Sequence, residues 1–138
     1  MYANREKETA MSYTITKTVS DADFETVEAR TRDALSESGF GVLTEIDVAE
    51  TMNEKLGEKM DRYTILGACN PKLAFGAIQT EPRVGAMLPC NVIVRQLPES
   101  VEVSAVDPVA SMSAIDNPEL SNLAGQVRDR LAEAIERV

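Results

Sequence analysis

Histidine and tryptophan are missing from this 138-residue chain, and cysteine occurs only twice. Ser-His and Cys-His nucleophilic pairs and every His-ligated metal site need an imidazole, so this chain alone cannot form them. The sequence also has no GxGxxG, P-loop, HExxH or EF-hand pattern, which removes the familiar nucleotide and calcium sites. The chemistry that remains open therefore centres on the two cysteines.

Basic residues are scarce as well. Lys plus Arg amount to 14 against 23 Asp plus Glu, which gives a net charge of −9. Nucleic-acid-binding domains cluster basic residues on one face, so this balance predicts no nucleic acid and no anionic membrane as a partner. An ordinary soluble, acidic surface accounts for the charge, and a halophilic origin is the alternative that it leaves open.

Long apolar runs are also absent. A membrane-spanning helix needs about 20 apolar residues, and the longest nearly apolar stretch, residues 84–94, is interrupted by Asn91. Residues 1–10 (MYANREKETA) are rich in charge and lack the apolar centre of a secretory signal. We therefore expect a cytoplasmic protein with a flexible N-terminal arm at residues 1–10 and a single domain at residues 11–138.

Hydrophobic periodicity predicts a mixed fold. In chain order the patterns predict strand 13–19, helix 21–38, strand 41–48, helix 49–56, strand 63–69, helix 71–80, strands 85–88, 91–96 and 101–106, a loop or short helical turn at 108–117, and a helix from 118. The expected fold class is α+β, in two layers, with helices on one face of a largely antiparallel sheet, roughly β-α-β-(α)-β-α-β-β-β-α. Pro89 predicts a bulge or kink within the sheet. The second face would be solvated or covered by a partner subunit.

Cys69 ends a predicted strand and precedes Asn70-Pro71, an N-cap followed by a proline at the first helical position. The positive end of that helix would favour a thiolate at Cys69. Cys90 follows Leu88-Pro89, where we expect irregular backbone. If the two strands are neighbours, the sulfurs could form a reversible disulfide or supply two of four metal ligands. Buried small hydrophobic residues, a redox or sulfur-handling pair, and metal or cofactor ligands all remain open.

A small basic group, formed by Lys55, Lys59 and Arg62, stands out in the acidic chain. It could act as an anion clamp beside the helix that starts at Asn70. The alternative is a solvated helix face whose lysines pair with neighbouring glutamates.

The run YTILGACNPKLAFGAIQTEPRVGAMLPCN at residues 63–91 is similar to the central signature of the domain-of-unknown-function 302 family, a set of small bacterial and archaeal proteins. Its most specific pieces are ILGACNP at 65–71, LA at 73–74, EP at 81–82, Gly85 and LPCN at 88–91. The resemblance extends over nearly the whole chain from Met11. It implies a compact α+β fold, frequently a homodimer, with no established reaction.

Residues and resemblance together predict a homodimeric binding or accessory protein with a small-ligand or metal site. The expected site residues are Cys69, Asn70, Pro71, Leu88, Pro89, Cys90 and Lys55. Cys69 would be the reactive thiolate, Cys90 its resolving or co-ligating partner, and Asn70 the cap of a helix that receives an anion. The ligand would be a small molecule, an anion or a metal held by Cys69 and Cys90, and the cofactor stays unknown. The alternatives are a thiol-based redox or sulfur-transfer enzyme, and a structural interaction module with inert, buried thiols.

Overall fold

A computed structural model describes residues 12–138. The predicted arm at residues 1–10 lies outside the described residues. The elements are β1 (Thr14–Val19), α1 (Phe24–Glu37), β2 (Gly41–Asp47), α2 (Val48–Leu56), β3 (Tyr63–Cys69), α3 (Pro71–Thr80), a 3-10 helix (Pro82–Met87), β4 (Cys90–Gln96), β5 (Val101–Val106), α4 (Pro108–Ser111) and α5 (Pro118–Arg137).

The strands form one open sheet in the order β1-β5-β4-β3-β2, and every neighbouring pair is antiparallel. Consecutive residues of a strand point to opposite faces. Leu66, Val92 and Val103 lie on one face and are fully buried. This face packs against α1 and α5, which also pack against each other. The predicted α+β fold, with helices packed on a largely antiparallel sheet, is therefore confirmed.

Local signals in the sequence fix the helix ends. Asp23 caps α1, and its carboxylate accepts a hydrogen bond from the Thr26 amide at 2.9 Å. After α1 the chain turns through Gly39, whose φ of 90° is a conformation that side chains with a Cβ rarely adopt. Asn117 caps α5 in the same way, and Pro118 occupies its first turn. These caps satisfy amide groups that the helices themselves leave unpaired.

One predicted strand is wrong. Residues 85–88 do not join the sheet, because Pro82–Met87 form a 3-10 helix in which Val84 is buried. Pro82 starts that helix with its fixed φ, and the Glu81 carboxylate accepts a hydrogen bond from the Arg83 amide at 3.4 Å. The sheet therefore has five strands where the residue pattern predicted six.

The irregularity of the sheet also differs from the prediction. The register shifts in β2, where Leu43 is the extra residue between Val42 and Thr44. Pro89 instead precedes β4, after a cis Leu88–Pro89 peptide bond. Within residues 12–138, no helix is both long enough and apolar enough to cross a membrane.

Candidate functional site

A small cavity of about 30 Å³ lies on the helix side of the sheet, between the end of β3, the start of β4, α3 and α5. Its walls are almost entirely apolar. They consist of Phe40, Ala68, Cys69, Asn70, Leu73, Ala74, Ala77, Leu88, Cys90, Pro108, Met112, Leu120, Leu123, Ala124 and Val127. A cavity of this size holds about two water-sized groups, and its apolar walls offer water few hydrogen bonds.

Both cysteines contribute to the walls of this cavity. In the register of β3 and β4, Cys90 lies opposite Ala68, so the two cysteines stand on adjacent strands, one position apart. Both are free thiols; Cys90 is buried and Cys69 is half-buried. The structure thus brings together the two residues on which the sequence argument depended.

Burial, followed by the nearby Cys69, raises the pKa of the Cys90 thiol from 9.0 to about 11. At pH 7 only about one Cys90 in ten thousand would then be a thiolate, which is the nucleophilic and metal-binding form. Cys90 therefore behaves as a neutral, weakly polar wall of the cavity at physiological pH.

Asn70 connects the cavity to α3. Its side-chain oxygen accepts a hydrogen bond from the Leu73 amide at 3.1 Å, which caps the helix as the sequence predicted. The side-chain nitrogen lies against the turn after α1, since a Cβ placed on Gly39 would come within 3.0 Å of it. Asn70 is therefore buried between two elements that both border the cavity.

Three of the predicted site residues do not line the cavity. Pro71 is exposed at the start of α3, and Lys55 is exposed on α2. Pro89 lies on the opposite face of the sheet, over Gly67: a Cβ placed on that glycine would approach the proline Cγ to 2.8 Å and would also collide with Thr44 Oγ1. Of the seven predicted residues, the structure gathers Cys69, Asn70, Leu88 and Cys90.

Within the basic group, Arg62 has defined contacts. The Arg62 guanidinium contacts Glu25 at 2.6 Å and lies 4.2 Å from the centre of the Phe24 ring. Arg62 thus fastens the segment before β3 to the start of α1 through an ion pair and a cation–π contact. Arg62 precedes β3 and Asn70 follows it, so the Arg62 guanidinium lies at the opposite end of the strand from the Asn70 helix start.

The walls that α3 and α5 contribute were not predicted from the sequence. Ala74 and Ala77 on α3 and Ala124 on α5 meet across the cavity. Small side chains on packed helices leave the space that larger ones would fill. The relevant signal was the alanines on the apolar sides of these two helices. They can be assigned to a cavity only when it is known that the two helices face each other.

The described residues contain no ready metal centre. Between residues 12 and 138, no three His, Cys, Asp or Glu side chains come close enough together to hold a metal ion. Cys69 and Cys90 would supply at most two of the four ligands of a structural zinc site. A metal held here would have to take its other ligands from elsewhere.

Comparison with known proteins identifies the family. The model of the family described as "Domain of unknown function DUF302" matches residues 15–138. The chain belongs to the DUF302 family. The crystal structure of an uncharacterized conserved protein DUF302 from Bacillus stearothermophilus has a TM-score of 0.85 at 28% sequence identity, covering 91% of this chain and 98% of that chain. No curated protein matches the sequence.

Membership in the DUF302 family confirms the resemblance found in the sequence. The two segments that carried it, residues 65–71 and 88–91, meet at the cavity, where they provide both cysteines, Asn70 and Leu88. The DUF302 description names no ligand and no reaction. The site of this DUF302 domain must therefore be interpreted from its own geometry.

Proposed function

We propose that this DUF302 domain is a non-enzymatic, homodimeric binding or accessory protein that takes up a small apolar group in the cavity beside Cys69 and Cys90. The single observation that carries the proposal is an apolar cavity of about 30 Å³ whose lining residues include both free cysteines. Apolar cavities of proteins stay dry and accept apolar guests, because water inside them has no hydrogen-bond partners.

The size of the cavity limits the guest. Two buried methylene-sized groups would contribute about 1.6 kcal/mol of transfer free energy, at about 0.8 kcal/mol each. A guest confined to the cavity would therefore bind weakly, and a physiological ligand would extend past the half-buried Cys69 toward solvent. A short alkyl or thioether group attached to a larger, more polar body fits this description.

The thiol-based redox or sulfur-transfer enzyme is the second hypothesis. The proximity of the two thiols supports it. The raised pKa of Cys90 counts against it, since a resolving cysteine attacks as a thiolate and Cys90 is almost entirely protonated near neutral pH. A metal-binding role is supported by the same two sulfurs and is weakened by the lack of further ligand side chains beside them among the described residues.

Xenon is a suitable probe, because it is apolar and small enough for the cavity. We expect xenon to shift the methyl NMR signals of Leu73, Leu88 and Leu123 saturably. Ala74→Leu should abolish these shifts by filling the space, whereas the control Ala29→Leu, at an exposed position of α1, should preserve them. Wild-type methyl signals that do not respond to xenon would contradict the proposal.

Native mass spectrometry of freshly purified, non-reduced protein separates the hypotheses. A bound small molecule that persists, weakened, in Cys69→Ser and Cys90→Ser supports the binding protein. Loss of two hydrogens from the free protein, abolished by either substitution, would instead indicate a disulfide and favour the redox hypothesis. Two free thiols with no bound mass, alkylated rapidly only after unfolding, would favour the structural module.

A further inference from the structure

The sheet face opposite α1 and α5, here called the outer face, differs in charge from the rest of the protein. Within the five described strands, alternation places only two charged residues on it, Arg95 and Glu102, which are opposite each other on β4 and β5. They form an ion pair at 2.6 Å, so the net charge of the outer face is zero. The whole chain, by contrast, carries a net charge of −9.

The outer face is also apolar toward one edge. Ile46, Ile65 and Ile93 are cross-strand partners and form a continuous row over β2, β3 and β4. None of the three belongs to the buried core. Ile46 is 47% exposed, and Leu43, the extra residue of the adjoining bulge, is 66% exposed.

Exposed apolar side chains are concentrated at this edge. Of the ten large hydrophobic side chains that are exposed among residues 12–138, five lie between residues 43 and 60. Helix α2, in that segment, contacts β3 but has no buried residue, and its Leu56 is 67% exposed. An isolated helix of nine residues is marginal in water, and most helical stability comes from covering an apolar side. Among the described residues, β2, α2 and the isoleucine row thus form a largely uncovered apolar surface.

We propose that the outer face, together with β2 and α2, is where a second copy of this chain docks. A twofold contact places the same surface of both copies against each other. Two molecules of net charge −9 repel, and like charges brought together across an interface are costly. The strands of the outer face contribute no net charge, and α2 adds one net negative charge from Glu50, Glu54 and Lys55. Two copies can therefore meet there with less repulsion than across their more acidic surfaces.

The dimensions predict a weak dimer. Five strands about 4.8 Å apart and about six residues long form a face of roughly 20 by 20 Å, or about 400 Å² in projection. Stable interfaces bury about 800 Å² per partner, so the sheet face alone is too small and needs the contributions of β2 and α2. We expect a dissociation constant in the micromolar range, about 1–50 µM.

This inference rests on the homodimer included in the proposed function and specifies its surface. The test is sedimentation velocity of the full chain at concentrations from about 2 to 200 µM, chosen to bracket that range. The double variant Leu43→Glu/Ile46→Glu should weaken dimerisation at least about 30-fold, as expected for residues at the centre of an interface. The matched control is Phe75→Glu, because Phe75 is 65% exposed but lies on α3, and this variant should dimerise like the wild type.

Salt gives an independent readout. Rising salt screens the repulsion between two acidic molecules, so the dimer should become tighter between about 20 and 200 mM NaCl. A contact built on opposite charges would become weaker. If the double variant fails to fold, Ile46→Thr takes its place, because threonine is also a strand-forming residue. Ile46→Thr should likewise weaken the dimer.

Three results would overturn the inference. The wild-type chain could stay monomeric at 200 µM, or the outer face could bind only a different protein. The third result is a dimer that dissociates in Phe75→Glu but persists in Leu43→Glu/Ile46→Glu. The cavity is on the other side of the sheet, so xenon binding should be unchanged in Leu43→Glu/Ile46→Glu. Failure of the dimer surface and failure of the cavity site can therefore be told apart.

Discussion

Replacing Gly67 by alanine is the sharpest test of how the middle of the sheet is packed. The new Cβ would lie 2.8 Å from Pro89 Cγ and closer still to Thr44 Oγ1, whereas carbon atoms in good contact are about 3.5–4.0 Å apart. The proline ring is rigid and cannot move aside without shifting backbone, whereas Thr44 in β2 can relieve its contact only by changing its χ1 rotamer. Overpacking of this kind costs about 1–3 kcal/mol, and we expect the upper half of that range.

The change should be measured by urea unfolding and by calorimetry. For a domain of this size about 1 kcal/mol corresponds to about 4 °C, so Gly67→Ala should lower the melting temperature by about 8–12 °C. The control is Gly125→Ala in α5, where a Cβ meets nothing within 4 Å; it should raise stability by about 0.5–1 kcal/mol, because alanine favours helix over glycine.

Adding Thr44→Ala removes one of the two colliding atoms and should restore part of the stability of Gly67→Ala. The reasoning would be refuted if Gly67→Ala were as stable as the wild type, or if it lost as much stability in the Thr44→Ala background as alone. In either case the close approach of β2 and Pro89 over Gly67 would not exist in solution.

Two further perturbations address the site. Folding raises the pKa of Cys90 to about 11, so the neutral thiol stabilises the folded state below about pH 9. That contribution, up to about 3 kcal/mol, should be lost as the pH rises from 9 to 11. Urea unfolding at pH 8 and pH 10.5 should show a smaller pH dependence in Cys90→Ala; an unchanged dependence would place the thiol in water. Asn70→Ala and Asn117→Ala should each cost about 1 kcal/mol as lost caps, since each accepts an amide hydrogen bond at 3.1 Å. Only Asn70→Ala should alter the xenon-induced shift of the Leu73 methyl signals. Equal shifts in the two variants would show that Asn70 does not shape the cavity.

Much of the fold could be predicted from the sequence because its signals are local. The Asn70-Pro71 and Asn117-Pro118 pairs each start a helix, and alternating patterns or short apolar runs mark all five strands within about a residue of their bounds. The strand predicted at residues 85–88 was wrong because a short apolar stretch fits a strand and a 3-10 turn equally well. The difference is decided by whether a partner strand is free, which local patterns do not contain.

The candidate site was less predictable for a related reason. Cys69, Asn70, Leu88 and Cys90 were found because two short segments carry them, and those segments pair in the sheet. The alanines of α3 and α5 could not be assigned to the cavity, because the space between them exists only once the helices pack. Lys55 does not line the cavity, because nearness along the chain to Asn70 does not by itself bring a residue beside it.

Strand β1 gives this domain a particular order of events during synthesis. It leaves the ribosome before the other described strands, yet its partner among them is β5, so that Thr14 must wait for Val106. At about 5–20 residues per second, the ribosome needs roughly 5–20 s to make the intervening chain. Lys17 on the same strand also waits for the end of α5, where it donates hydrogen bonds to the carbonyl oxygens of Glu136 and Val138. A nascent chain arrested before β5 would therefore hold β1 as an unpaired strand and a target for chaperones or proteases.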